Sequence, residues 1–276
     1  MRDQAVARPR PVVVDESLDR QYLEFLIGSI AVRFDAVKLA VDCGNGASYR
    51  LGPELFRRLG AEVTTLSTEP DGRNINLNCG ALHLEGLREA VLASRSDFGV
   101  AFDGDADRAM FVARSGKIVD GDGVLLASAR ALRAAGHLHA DTVVSTVMAN
   151  LGLEKAFERD GIRMVRTPVG DKYVLEEMVR LGAALGGEQS GHVIFREYAT
   201  TGDGLLTALR LFETARKAGV GLDELTADLT VYPQKLVNVR VREKKGLTDV
   251  PAVAQEIRRV EDAFAGIWQR GCVLYK

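Results

Sequence analysis

The feature that most constrains this chain is an alternation of short apolar runs, each the length of one strand, with longer stretches whose apolar residues recur at helical spacing. Val37 to Val41 and Phe98 to Phe102 are runs of the first kind, and Thr142 to Val147 reads as a strand that opens a second cycle. Turn residues such as Gly44-Asn45-Gly46 bound them, which predicts buried strands. Further strands are expected at Glu62 to Leu66, Ala109 to Ala113, Ile118-Val119 after a turn at Gly116, Arg163 to Arg166, His192 to Phe195 and Leu236 to Val241. Helical spacing covers Leu18 to Phe34, a stretch ending near Leu59, Leu84 to Ala93, Gly123 to Ala135, Leu151 to Asp160, Lys172 to Leu181 and Gly204 to Ala218. Strands alternating with helices of this length predict an α/β chain with helices packed on sheets. We expect two consecutive layered α/β/α domains with mixed sheets, over 12–138 and 139–243, after a loose arm at 1–11. Residues 244–276, one helix and the start of a strand, read as an incomplete third domain too small to bury a core alone.

Composition narrows the function classes. With 36 basic against 38 acidic residues the net charge is -2, so no global field favours nucleic acid or anionic lipid. An anionic ligand must be met by local positive groups. Nothing approaches the roughly 20 consecutive apolar residues of a membrane span, and the charged N-terminal stretch lacks a signal-peptide core. The three cysteines, Cys43, Cys79 and Cys272, are odd in number and widely spaced. That pattern argues against a disulfide framework or a paired-cysteine zinc site and fits a reducing cytoplasm.

Three segments carry chemistry. In Phe102-Asp103-Gly104-Asp105-Ala106-Asp107-Arg108 three carboxylates alternate around a glycine that permits a sharp turn. Such hard oxygen donors suit magnesium, and left alone they would repel one another. An EF-hand is excluded, because its required Gly and Glu positions hold Arg108 and Arg114. In Gly186-Gly187-Glu188-Gln189-Ser190-Gly191-His192 a carboxylate, a hydroxyl and an imidazole can grip neighbouring hydroxyls. Glu188 and His192 occupy the flanks where a serine-hydrolase elbow needs glycine. Gly170-Asp171-Lys172 sits at a strand-to-helix turn, where Lys172 and the helix N-terminus attract phosphate; alternatively Asp171 caps the helix and Lys172 faces solvent.

Taken together, these segments resemble the phosphohexomutase superfamily: Asp103 to Arg108 its metal loop, Gly187 to His192 its sugar loop. Val41-Asp42-Cys43-Gly44-Asn45-Gly46-Ala47, Pro70-Asp71-Gly72 with Asn74-Ile75-Asn76, Val169 to Val174, and Tyr232-Pro233-Gln234 with Asn238-Val239 are similar to its glucosamine-phosphate branch. Lys172 stands where that branch more usually shows Arg, which keeps the charge, and Leu82-His83-Leu84 where a His-Pro pair is usual.

The resemblance implies a four-domain enzyme of which this chain holds domains two and three and the opening of the fourth. A domain with a phosphoryl-carrying serine is expected ahead of Met1, and a phosphate-gripping loop beyond Lys276. It implies Mg2+ on Asp103, Asp105 and Asp107, with Arg108 supporting, and no catalytic nucleophile within the chain. Glu188, Ser190, His192, Gly170, Asp171 and Lys172 would bind substrate. The implied ligands are a phosphorylated hexosamine and a sugar bisphosphate intermediate, with a homodimer as one arrangement of the full-length enzyme. Mannose or glucose phosphate specificity, a phosphatase with Asp103 as nucleophile, and a truncated paralogue without turnover remain alternatives.

Overall fold

The computed structural model describes residues 15–235, 240, 242–243 and 246–264. Its first half runs α1 (Glu16–Gly28), β1 (Lys38–Asp42), α2 (Leu51–Arg58), β2 (Glu62–Leu66), α3 (Glu85–Ser94), β3 (Phe98–Phe102), β4 (Ala109–Ala113) and β5 (Ile118–Val119). The sheet has the order β2-β1-β3-β4-β5. Strand β1 is parallel to β2 and β3, whereas β4 and β5 run antiparallel. The second half continues with α4 (Gly121–Ala134), β6 (Thr142–Thr146), α5 (Leu151–Asp160), β7 (Arg163–Thr167), α6 (Asp171–Leu181), β8 (Leu185–Gly187) and β9 (Val193–Phe195). Its sheet has the order β7-β6-β8-β9, with only β9 antiparallel. Helices α7 (Gly204–Ala218), α8 (Leu222–Leu225) and α9 (Pro251–Phe264) follow. Among the described residues no helix is long and apolar enough to cross a membrane.

The two sheets repeat one plan. In strand order β2-β1-β3-β4 corresponds to β7-β6-β8-β9, so the β3–β4 connection and the β8–β9 connection occupy equivalent places. Each central strand also carries a glycine at the second paired position, Gly99 opposite Ala40 and Gly186 opposite Val144. A Cβ on Gly99 would collide with Val91 of α3, and one on Gly186 with Met178 of α6. Small residues on that face let each helix lie close over its sheet. The opposite face of β3 presents Phe98, Val100 and Phe102 to the main core.

That core does not stop between the halves. It runs from Leu23 through Phe102 and Phe157 to Leu222, and α7 lies across it, touching α1, β3 and β4 as well as α4 and β9. Helix α4 packs on α5, α7 and β8, so it sits with the second sheet although the expected division at residue 138 assigned it to the first.

Two other elements differ from expectation. The helix predicted to reach Phe34 ends at Gly28, where the Ser29 amide and hydroxyl both donate to Leu26 O. Ile30, Val32 and Phe34 still pack on the core from the chain beyond, which is why the apolar pattern continues. Strand β8 was not expected, because Leu185-Gly186-Gly187 is too short and glycine-rich to read as one. The arm at 1–11 lies outside the described residues, as does most of the strand expected at Leu236 to Val241.

Candidate active site

The connections that leave the carboxyl ends of β1, β3, β7 and β8 carry the candidate residues, the usual placement of ligand sites in open α/β sheets. After β3 the chain turns through Asp103 to Arg108 with Ala106 at φ 64°. Ala47 N–H, from the loop after β1, donates to Gly104 O at 2.8 Å and pins the turn. One ligand atom from each of Asp103, Asp105 and Asp107 lies within 4.8 Å of the others.

The electrostatics of this cluster are unfavourable without a cation. Burial, then repulsion from Asp107, pushes the Asp103 carboxyl up to about 6. Asp107 Oδ1 is buried without a hydrogen-bond partner. Arg108 supplies one positive charge to three carboxylates, its Nε lying 3.7 Å from both Asp103 Oδ2 and Asp107 Oδ1, while its amide donates to Asp103 Oδ1 at 3.2 Å. An orphaned carboxylate oxygen inside an undercompensated set of hard donors fits a divalent cation.

The β8–β9 connection folds against this loop. Glu188 N–H donates to His192 O at 2.8 Å and Gly191 N–H to Glu188 O at 3.0 Å, which closes a tight turn. Ala109 N–H donates to Gly191 O at 3.1 Å, so the polar loop is fastened to the first residue of β4. A third connection reaches the same place: Gly170 N–H, at the start of α6, donates to Glu188 Oε1 at 3.0 Å, and the Ser190 hydroxyl donates to Glu188 Oε2 at 3.2 Å. Glu188 therefore links two loops that the sequence holds apart.

The remaining expected residues divide. Gly170 itself is the N-cap of α6, without a side-chain cap, so Asp171 is a first-turn residue and not the cap. Lys172 extends into solvent, 3.8 Å from Glu176, with 74% of its side chain exposed. It is free to swing toward an anion. His192 is buried at the end of the same connection, with its ring nitrogens within hydrogen-bond distance of Asp107 and Gly202.

Sequence reading missed the supports. Asp120 caps α4 through Gly123 N–H and accepts from Gln189 Nε2 at 3.2 Å, and Gly121 N–H donates to Gln189 O at 3.0 Å. It also missed Gly202-Asp203-Gly204, whose signal was an Asp just before a helical stretch. In the first turn of α4, burial and then repulsion from Asp120 push the Asp122 carboxyl up to about 7. Its Oδ2 accepts from Asn150 N–H at 2.7 Å, whereas Oδ1 is buried without a partner.

A stability test follows from Asp122. Its folded value lies above the ordinary 3.8, so its contribution to stability is complete below 3.8 and is lost as pH rises through about 7. Between pH 5 and 7.5 this group should remove on the order of 2–3 kcal/mol, and Asp122→Asn should abolish that slope. Urea midpoints across the range decide it. Parallel curves for the two proteins would refute the assignment.

Two α/β units of one topology, joined where a carboxylate cluster that could hold a metal ion meets a glycine-flanked polar loop, define an α/β protein with its candidate site at the strand ends. The chain belongs to the phosphoglucomutase/phosphomannomutase family: residues 20–116 match its alpha/beta/alpha domain II and residues 120–232 its alpha/beta/alpha domain III. A phosphoglucosamine mutase from Solibacter usitatus is 73% identical over 96% of this chain and 60% of that protein. One from Brevibacillus brevis is 49% identical over 90% of this chain and 55% of that protein. The chain thus spans between 55% and 60% of the length of these curated relatives. Among solved structures, a family protein from Burkholderia thailandensis superposes with a TM-score of 0.68 at 29% identity, covering 77% of this chain and 46% of that one. Aspergillus fumigatus N-acetylphosphoglucosamine mutase, in complex with GlcNAc-6P and magnesium, shares the fold at 20% identity and TM-score 0.68, over 88% of this chain and 56% of that one.

Proposed function

We propose that this chain is the central part of a cytoplasmic phosphoglucosamine mutase, which interconverts glucosamine 6-phosphate and glucosamine 1-phosphate by way of a phosphoserine outside residues 1–276. The observation that carries the reading is the direct join of the carboxylate loop to the polar loop through Ala109 N–H and Gly191 O. It holds the metal donors and the hydroxyl-binding groups in one frame, and positioning plus electrostatics is most of what phosphoryl transfer requires. The identities of the relatives support the choice of sugar.

Asp103, Asp105 and Asp107 would hold Mg2+, which supplies charge neutralisation for the transferring phosphoryl group. Arg108 keeps those carboxylates together. Glu188 and Ser190 bind sugar hydroxyls, with Gly170 N–H orienting the Glu188 carboxylate. Lys172, exposed at the start of α6, attracts the sugar's phosphate. A sugar bisphosphate is the intermediate that must turn over between these groups.

Carried to the length of its relatives, the protein should convert glucosamine 6-phosphate with Mg2+ and a bisphosphate activator, in preference to glucose or mannose phosphates. The 276-residue chain alone should not. Preference for another hexose would move the assignment within the family. Turnover by the chain alone, above a Ser190→Ala and Asp105→Asn double variant, would put the nucleophile inside it. Acid-stable phosphate on Asp103 after incubation with labelled substrate would replace mutase by phosphatase chemistry.

A further inference from the structure

We infer that Asp120, at the start of α4, is a positioning residue for the β8–β9 connection: by clamping Gln189 it aims Glu188 at the sugar. The inference rests on the reading of Glu188 as a hydroxyl-binding group. Gln189 lies between the two residues assigned to the sugar, yet its side chain goes elsewhere. The Ser190 hydroxyl donates to Glu188, whereas Gln189 Nε2 donates to Asp120 Oδ2 at 3.2 Å.

The clamp has two points and a close approach. Gly121 N–H donates to Gln189 O at 3.0 Å, so the side chain and the main chain of Gln189 are both held by adjacent residues of one segment. A Cβ on Gly121 would collide with Glu188 O, and glycine is what lets the two backbones meet there. The peptide that follows Glu188 is thus fixed on α4, while Gly170 N–H and the Ser190 hydroxyl each take one oxygen of its carboxylate.

Asp120 divides its own carboxylate between two tasks. Oδ1 accepts from Gly123 N–H at 3.2 Å and caps α4, and Oδ2 holds Gln189. An amide has one acceptor oxygen, so asparagine at this position would set its NH2 against either the Gly123 N–H or the Gln189 NH2. The platform behind the clamp is a packed helix: α4 lies on α5, α7 and β8, and Asp122 Oδ2 ties its first turn to Asn150 N–H at 2.7 Å. Binding groups supported from such an element are held more precisely than those on a free loop.

The test is glucosamine 6-phosphate kinetics in the protein carried to the length of its relatives. The variants are Asp120→Asn, Gln189→Glu, the two combined, Gln189→Met and Glu188→Gln. Asp120→Asn opposes two amides, and Gln189→Glu opposes two carboxylates. Each should raise KM by about 10-fold and leave kcat and the Mg2+ dependence within about 2-fold, because a grip on hydroxyls serves ground and transition states alike. The combined variant exchanges donor and acceptor, keeps the net charge and leaves one amide oxygen for the cap. Its KM should return to within about 3-fold of the wild type. A contact that only stabilises the fold would lower the melting temperature without this pattern. Failure of the combined variant to recover, or a fall in kcat at unchanged KM, overturns the positioning role. Should Asp120→Asn not fold, Gln189→Met removes the donor and spares the cap: a KM raised by about 3- to 10-fold supports the role, and an unchanged KM overturns it. Glu188→Gln separates the two readings. If it leaves KM unchanged, the reading of the polar loop falls together with the inference; if it raises KM while Asp120→Asn and Gln189→Met do not, only the role of Asp120 falls.

Discussion

Asp105→Asn, in the protein carried to the length of its relatives, should lower turnover of glucosamine 6-phosphate by about 10³-fold or more, equivalent to about 4 kcal/mol of lost transition-state stabilisation. Asp105 is the exposed member of the cluster, so the substitution leaves no cavity and no buried charge. Its effect on folding should stay within about 0.5 kcal/mol. On the proposed function the loss should fall on kcat more than on KM, because a cation held by this cluster would neutralise charge that develops as the phosphoryl group moves. The Mg2+ concentration for half-maximal rate should rise at the same time. Thermal unfolding, a Mg2+ titration and the split between kcat and KM together isolate the effect. Unchanged magnesium dependence would remove Asp105 from the site.

Phe212→Ala should cost about 3–5 kcal/mol of stability, the range for emptying a large aromatic site in a core. The ring stacks on Phe98 with centroids 4.8 Å apart, meets Phe111 and Phe34 edge-on at 5.7 and 6.2 Å, and tilts against Phe56 at 5.9 Å. Phe212 belongs to α7, whereas its four neighbours all precede or line the first sheet. Removing it opens a cavity at the join between the two halves. Urea unfolding should shift to a lower midpoint and, with the shared core broken, change from one transition toward two. Phe212→Leu, which keeps much of the volume, should cost about 1–2 kcal/mol and keep a single transition. A loss below about 1 kcal/mol for Phe212→Ala would show that the shared core does not couple the halves.

The two effects differ in kind, and so does their legibility. Asp103, Asp105 and Asp107 stand within five residues on a glycine turn. Chain connectivity alone brings them together, and the cost of crowding three carboxylates is the ground for proposing a cation there. The strands at Val37 to Val41 and Phe98 to Phe102 were legible for a similar reason, since a strand buried on both faces is mostly apolar along its length. The helix from Gly204 to Ala218 was legible from its spacing, whereas its Asp203 cap was not read.

What the tertiary structure decided lies at long sequence separation. His192 and Asp107 are 85 positions apart, Tyr22 and Asp203 are 181 apart, and Gly170 reaches Glu188 across 18. No local pattern shows that His192 will meet Asp107 and Gly202, because the sequence around a histidine does not name its distant neighbours. Nor does periodicity reveal that α7 inserts Phe212 into the other half's core: an amphipathic helix shows which of its faces is apolar, not which sheet will cover it. The local turn chemistry of each loop was therefore determined by the sequence around it, while their convergence on one site was determined by packing, which holds distant residues at fixed distances that chain connectivity leaves open.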